Sequence, residues 1–195
     1  VVVMFNKKNF LTFLYSSLIF LLFGISFYFS REYTIYNTDF IHWSFILEQV
    51  NSYINGYNLY KDIFIQYGEG QIVLLAYINN FYKVDIYSLG IISSIIFGLK
   101  FFIIFKILTS IISSRLLSFI CTFFVFLSIT YTQVPWPDFY SGLVILIFFY
   151  TLIINDKNQN LYIIIFSSFL LFLSIYFRNT YLLNFILSII FYFFF

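Results

Sequence analysis

The sequence has little of what soluble and secreted proteins depend on. Only 9% of its 195 residues are charged, and it has two prolines, one cysteine and one histidine. A single cysteine, Cys121, excludes a disulfide framework and a thiolate metal site, and its apolar surroundings read as core packing. Ten basic and eight acidic residues leave a net charge of +2 with no basic cluster, so no nucleic-acid partner is implied. Two prolines and seven glycines are too few for a turn every ten residues. The alternating strands of a transmembrane barrel are also absent.

What is present is apolar. Hydrophobic residues make up 62% of the chain, 31 of them phenylalanine, and the mean hydropathy is +0.96. Long Leu, Ile and Phe runs with so little charge predict an all-α, polytopic bundle of transmembrane helices in a single domain. Spans are expected at about 10–30, 86–108, 116–132, 139–154, 161–177 and 181–195. The run through Phe193-Phe194-Phe195 has no closing polar flank, and Met4 follows three valines. Truncation at the C-terminus of a longer membrane protein is therefore expected. No internal repeat is evident.

Residues 31–69 form a polar loop between the first two spans. Within it, 40–54 has helical periodicity, with Ile41, Phe45, Ile46, Val50, Tyr53 and Ile54 on one broad stripe. Thr38 or Asp39 is placed to cap that helix and Asn55-Gly56 to end it. A short apolar helix is expected at 70–82. At 1.5 Å per residue it reaches roughly 20 Å, less than a hydrocarbon core. If it does not cross, Lys7, Lys8, Lys100, Lys106, Arg115 and Lys157 lie on the cytoplasmic side. Arg31, Lys61, Lys83 and Arg178 then lie outside. The excess of basic residues inside favours this topology. It also puts every acidic residue except Asp156 outside.

Several polar residues carry two readings each. Asp39 and His42 are three apart, so a helix would place them on one face. They read as a catalytic carboxylate beside a metal ligand, or as an N-cap beside an interfacial histidine. Glu69 reads as a helix-start charge or as part of a site. Pro135-Trp136-Pro137-Asp138 makes a rigid turn, whose aspartate caps the next helix or points into an outer cavity. Arg178 either marks a loop or binds phosphate through its planar fork. Lys100 lies inside an apolar run, and snorkelling toward the cytoplasm would explain it.

The order of these features resembles the GT-C glycosyltransferases, which include protein O-mannosyltransferases and aminoarabinose transferases. The likeness rests on Asp39 after the first span, on Gly56-Tyr57-Asn58-Leu59-Tyr60-Lys61-Asp62, and on Gln66-Tyr67-Gly68 before the short helix. Thr132-Gln133-Val134-Pro135-Trp136-Pro137-Asp138 and Arg178 continue it. Glu69-Gly70 stands where relatives often carry prolines.

The resemblance implies transfer of sugar from a polyprenyl-phosphate donor to a lipid, glycan or protein acceptor at the outer face of the cytoplasmic membrane. It implies Asp39 and Asp138 as catalytic carboxylates, with Arg178, Tyr67 and Glu69 as substrate-binding residues. No cofactor is fixed by it. His42, with Glu69, is the candidate ligand for a divalent metal. Two readings from other classes compete: a transporter or flippase fragment with Lys100 on its path, and a non-catalytic membrane subunit.

Overall fold

Uninterrupted Leu, Ile and Phe runs leave the backbone one economical way to satisfy its own N–H and C=O groups, the α-helix. A computed structural model describes residues 7–37, 40–65, 68–128, 137–158, 160–178, 180, 182 and 186. Among them the protein is all-helical, apart from one isolated bridge between Leu59 and Ile63. The helices are α1 (Lys7–Asn37), α2 (Phe40–Ile54), α3 (Gly70–Asn79), α4 (Ile86–Ile111), α5 (Arg115–Ser128), α6 (Pro137–Asn158) and α7 (Leu161–Phe177).

Polar residues punctuate these runs. Gly56, at φ +89°, takes the chain out of α2 in a conformation that a side chain would strain. Asn79 Oδ1 accepts from Val84 N at 2.8 Å and folds the end of α3 toward the start of α4. There Asp85 accepts from the Tyr87 and Ser88 amides, while Ser88 Oγ accepts from Asp85 N at 2.7 Å. This reciprocal cap satisfies groups that the helix start leaves open. Asn160 caps α7 one way, its side chain accepting from Tyr162 N.

Contacts fix the helix directions. Gly24 faces Ser94, Phe20 faces Gly98, and the Tyr15 and Phe105 rings lie 6.3 Å apart. Falling numbers in α1 thus meet rising numbers in α4, so the two are antiparallel. In the α6–α7 hairpin the Tyr140 and Phe177 rings stack at 5.6 Å, and Thr151 and Ser167 share a hydrogen bond of 2.8 Å. Phe97 stacks on Phe139 with α4 and α6 parallel. The chain therefore leaves α1 and enters α4 at the same end of the bundle.

At that end α2 and α3 build a cap. Trp43, Ile46 and Val50 of α2 pack with Ile72, Leu75 and Ala76 of α3 and Leu89 of α4. The broad stripe expected on α2 is narrower in fact. Ile41 and Ile54 are exposed, because only the Trp43–Ile46–Val50 face meets α3 and α4. The bundle's own core is separate and aromatic, with Phe23, Phe97, Phe101, Phe105, Phe139 and Phe177 at its centre.

The bundle buries small hydroxyl residues beside its aromatic core and leaves large apolar residues on its surface. Its interior holds Ser16, Ser93, Ser94, Thr122, Ser141, Ser167 and Ser174, while Phe13, Phe124 and Phe172 are each more than 60% exposed. The buried hydroxyls bond to carbonyls of the preceding turn, as Ser93 does to Leu89 O at 2.7 Å and Thr122 to Ser118 O at 2.8 Å. Small residues at Ser94 and Gly98, one turn apart on α4, meet Gly24 and Phe20 and let α1 approach α4 closely. A Cβ on Gly98 would stand 2.7 Å from the Phe20 carbonyl oxygen.

Two helices, Ile86–Ile111 and Pro137–Ile154, are long and apolar enough to cross a membrane. Only 33% and 28% of their apolar windows are buried, far less than in the core helix of a soluble protein. Large exposed apolar surface of this kind marks a face that meets lipid or protein rather than water.

Candidate functional site at the capped end of the bundle

Helix α7 stops at Phe177, where Arg178 turns to extended backbone (φ −149°, ψ 110°) as the C-cap and its N–H donates to Ser174 O. The turn carries its guanidinium across the hairpin to the first turn of α6. There Nη1 forms an ion pair with the Asp138 carboxylate, and Nε donates to Thr180 Oγ1 at 2.8 Å. The placement suits both charges. A carboxylate is favoured at a helix N-terminus and a cation at a C-terminus, and antiparallel packing brings these two ends together. The side chains are 46% and 23% exposed, so the pair is open to a ligand.

Beside the pair, Gly68-Glu69-Gly70 leads into α3 and lies on the last turn of α7. A Cβ on Gly68 would overlap the Tyr176 carbonyl and the Phe177 backbone, so only glycine allows the two chains this contact. Glu69 occupies the N-cap position of α3, but its backbone is helical there and its side chain makes no capping bond. The capping role open to it in the sequence is thus not the one it takes. Its carboxylate stands by the Tyr176 hydroxyl, with Tyr53 and Tyr60 nearby.

Tyr60 sits at φ +65°, which a bulky residue rarely adopts. The turn around it is tied by Asp62 Oδ2, which accepts from Asn58 N at 2.9 Å. Gln49 Nε2 donates to Phe64 O at 2.6 Å.

Below the cap, polar atoms continue into the seam between α4 and α6. The Tyr140 hydroxyl is buried against Gln71 and Ser93 without a well-formed hydrogen bond. One to two turns further along α4 is Lys100. Its Nζ lies 4.5 Å from the Phe139 ring centroid and against Gly142. The ammonium is therefore folded into the α4–α6 seam. The expected snorkelling toward the far end of α4 is not seen, because Gly142 leaves a notch for the head group and the Phe139 ring face attracts it.

Of the residues singled out in the sequence, Asp138, Arg178 and Glu69 come to one end of the bundle. Asp39 and Tyr67 lie outside the described residues, as do Thr38, Gln66 and residues 129–136. His42 belongs to the first turn of α2, and the placement of its side chain is outside the description too. Among the described residues no three His, Cys, Asp or Glu side chains cluster as a metal site.

Arg178 differs from expectation in one respect: its fork already holds a carboxylate. The pairing had a signal in the sequence. Two apolar runs joined by a short polar turn form a hairpin, which sets the start of the first beside the end of the second. The Tyr140–Gln71–Ser93 contact and the Gly142 notch had none, since they join elements distant in sequence. Comparison with known families, with curated proteins and with solved structures finds no match.

Proposed function

We propose that this protein is a multi-pass enzyme of the cytoplasmic membrane, a glycosyltransferase of the GT-C type. It moves a sugar from a polyprenyl-phosphate donor to a lipid, glycan or protein acceptor at the outer face. The observation that carries the reading is the convergence of Asp138, Arg178 and Glu69 at the capped end. That end takes in the start of α4, the start of α6 and the end of α7, and the exposed apolar flanks of the bundle offer a lipid donor a lateral approach.

In the reaction, the bond from the anomeric carbon to the phosphate oxygen breaks and a bond to the acceptor oxygen forms. The electron pair leaves with the phosphate, and the acceptor proton passes to a carboxylate. Arg178 receives the phosphate. A guanidinium binds phosphate and carboxylate oxygens with the same fork, so the donor exchanges with Asp138 on it. Asp138 is then a positioning residue that keeps the fork aimed before the donor arrives. Asp39 is the proposed base, Glu69 and Tyr67 orient the sugar, and a divalent metal through His42 is not needed for this scheme. The charge excess inside and the antiparallel α1 and α4 support an α3 that stays on the outer side.

The test is sugar transfer in proteoliposomes by wild type and Asp39→Asn. An amide caps a helix as well as a carboxylate does but takes no proton. Loss of transfer at unchanged thermal stability is expected. Near wild-type turnover would return Asp39 to a capping role and leave Asp138 as the candidate base.

A further inference from the structure

Lys100 lies roughly 21 Å along α4 from its start, between two helices with wide apolar faces. Part of the residue remains accessible, but its head group is enclosed by protein. An ammonium in such surroundings is stable only beside an anion or a strong substitute. None of the five carboxylates whose side chains the structure describes supplies one. Asp138 holds Arg178, Asp85 caps α4, Asp62 ties the Asn58 turn, Glu69 faces Tyr176, and Glu48 is exposed on α2. What Lys100 has is a ring face at 4.5 Å and a notch: a Cβ at Gly142 would stand 3.0 Å from Nζ.

The notch has a definite position relative to the ion pair. Asp138 and Gly142 are one turn apart on the same face of α6, so the Asp138–Arg178 pair lies roughly 6 Å outward of the parked ammonium. A lysine stem spans that interval. Charge points the same way. Asp138 and Arg178 together are neutral, so a phosphate arriving at the guanidinium brings negative charge that the pair does not offset.

We propose that Lys100 is a second phosphate-binding residue. The Gly142 notch is its resting place, and its ammonium rises one turn to join Arg178 on the phosphate of a membrane-embedded lipid. The proposal rests on the reading of the capped end as a phosphate site. It adds a cation from inside the bundle that no resemblance assigns. The cation–π contact holds the resting position weakly, so it yields to an anion.

The experiment uses the full chain in nanodiscs of zwitterionic lipid. Three probes are offered: a long-chain polyprenyl monophosphate, phosphatidylglycerol and inorganic phosphate. Retained probe is measured by native mass spectrometry and melting temperature by differential scanning. Lys100→Met is expected to retain polyprenyl monophosphate about ten- to a hundredfold less well. It should also melt higher than wild type without probe, since an unpaired charge is gone. Gly142→Ala crowds the resting place and should retain the lipid as well as or better than wild type.

Wild-type retention by Lys100→Met would overturn the proposal, as would retention of inorganic phosphate alone. Preference for phosphatidylglycerol would keep the lipid-phosphate site and detach it from the transfer reaction. If Lys100→Met does not fold, Gly142→Ala decides: weaker retention than wild type overturns the proposal. Parallel sugar-transfer assays separate the two ideas. Intact retention and transfer in Lys100→Met removes Lys100 alone. Lys100-dependent retention with no transfer by wild type removes the enzymatic reading alone.

Discussion

Asp138 opens α6, Arg178 closes α7, and an ion pair joins them across the mouth of the hairpin. Because both side chains are partly exposed, the pair contributes little to folding, at most about 1 kcal/mol. Arg178→Ala should therefore shift the melting temperature slightly while weakening donor use severely. Arg178→Lys should recover donor use only in part, since a point charge replaces a fork. Asp138→Asn should keep the fold and alter donor KM more than acceptor KM. Michaelis constants for both substrates in reconstituted protein check this, and unchanged donor use in Arg178→Ala would sink it.

The Gly68 contact with α7 is backbone against backbone, with no flexible side-chain end to yield. Gly68→Ala should force the 68–70 turn off α7 and carry Glu69 away from Tyr176. A loss of about 1–3 kcal/mol is expected, with transfer falling further than stability explains. Gly56→Ala is the control. Nothing lies within 4 Å of a Cβ there, so only the strain of φ +89° remains, about 1–2 kcal/mol. Chemical denaturation of both variants, together with transfer rates, separates a packing effect from a conformational one.

Asp85, which takes no part in the Asp138–Arg178 pair, gives a pH signature of its own. The Ser88 amide hydrogen bond, helped by the Ser88 hydroxyl, the Tyr87 amide and the Lys83 charge, holds its carboxyl below the ordinary value of 3.8. The stability it confers is complete above that value and is lost as pH falls through the lowered one. Asp85→Ala should cost about 1 kcal/mol at pH 7. Asp85→Asn should preserve the cap and flatten the acid limb of the melting profile. Melting temperatures from pH 2 to 7 test both, and an unchanged limb in Asp85→Asn would assign it to another group.

Parallel α4 and α6 put the cap and residue 158 at opposite ends of the bundle, and the proposed topology then sets them on opposite faces of the membrane. In a Cys121→Ser background, a cysteine at Asn55 should react with an impermeant maleimide added outside. A cysteine at Asn158 should react only after permeabilisation. Outside labelling at position 158 would reverse the proposed sidedness.

Helix formation was legible because it follows from local chemistry. Gly56 and the Asp85–Ser88 pair act on their own neighbours in sequence, and apolar runs dictate the rest. The face that a helix buries was less legible. Ile41 and Ile54 look like partners of Ile46 in an amphipathic stripe, but burial depends on where α3 lies, and Trp43 is the residue it covers. The same limit applied at the site. Asp138 and Arg178 stand out by their charge in apolar company. That each occupies the other, and that Lys100 turns into a notch at Gly142, are facts of assembly.

Helix α4 belongs to both hydrophobic clusters: Leu89 completes the cap, while Phe97, Phe101 and Phe105 complete the bundle. Its closest partner, α1, precedes it by some seventy residues, as the Gly24–Ser94 contact shows. In chain order α1 therefore precedes its partner, while α2 and α3 can already cover each other through Trp43, Ile46, Ile72 and Leu75. Helix α4 completes that cap with Leu89 and gives α1 its neighbour, but the aromatic cluster closes only when Phe139, Tyr140, Leu170 and Phe177 of α6 and α7 join it. The cap is thus a unit of consecutive segments, whereas the bundle core depends on the last helices of the described chain.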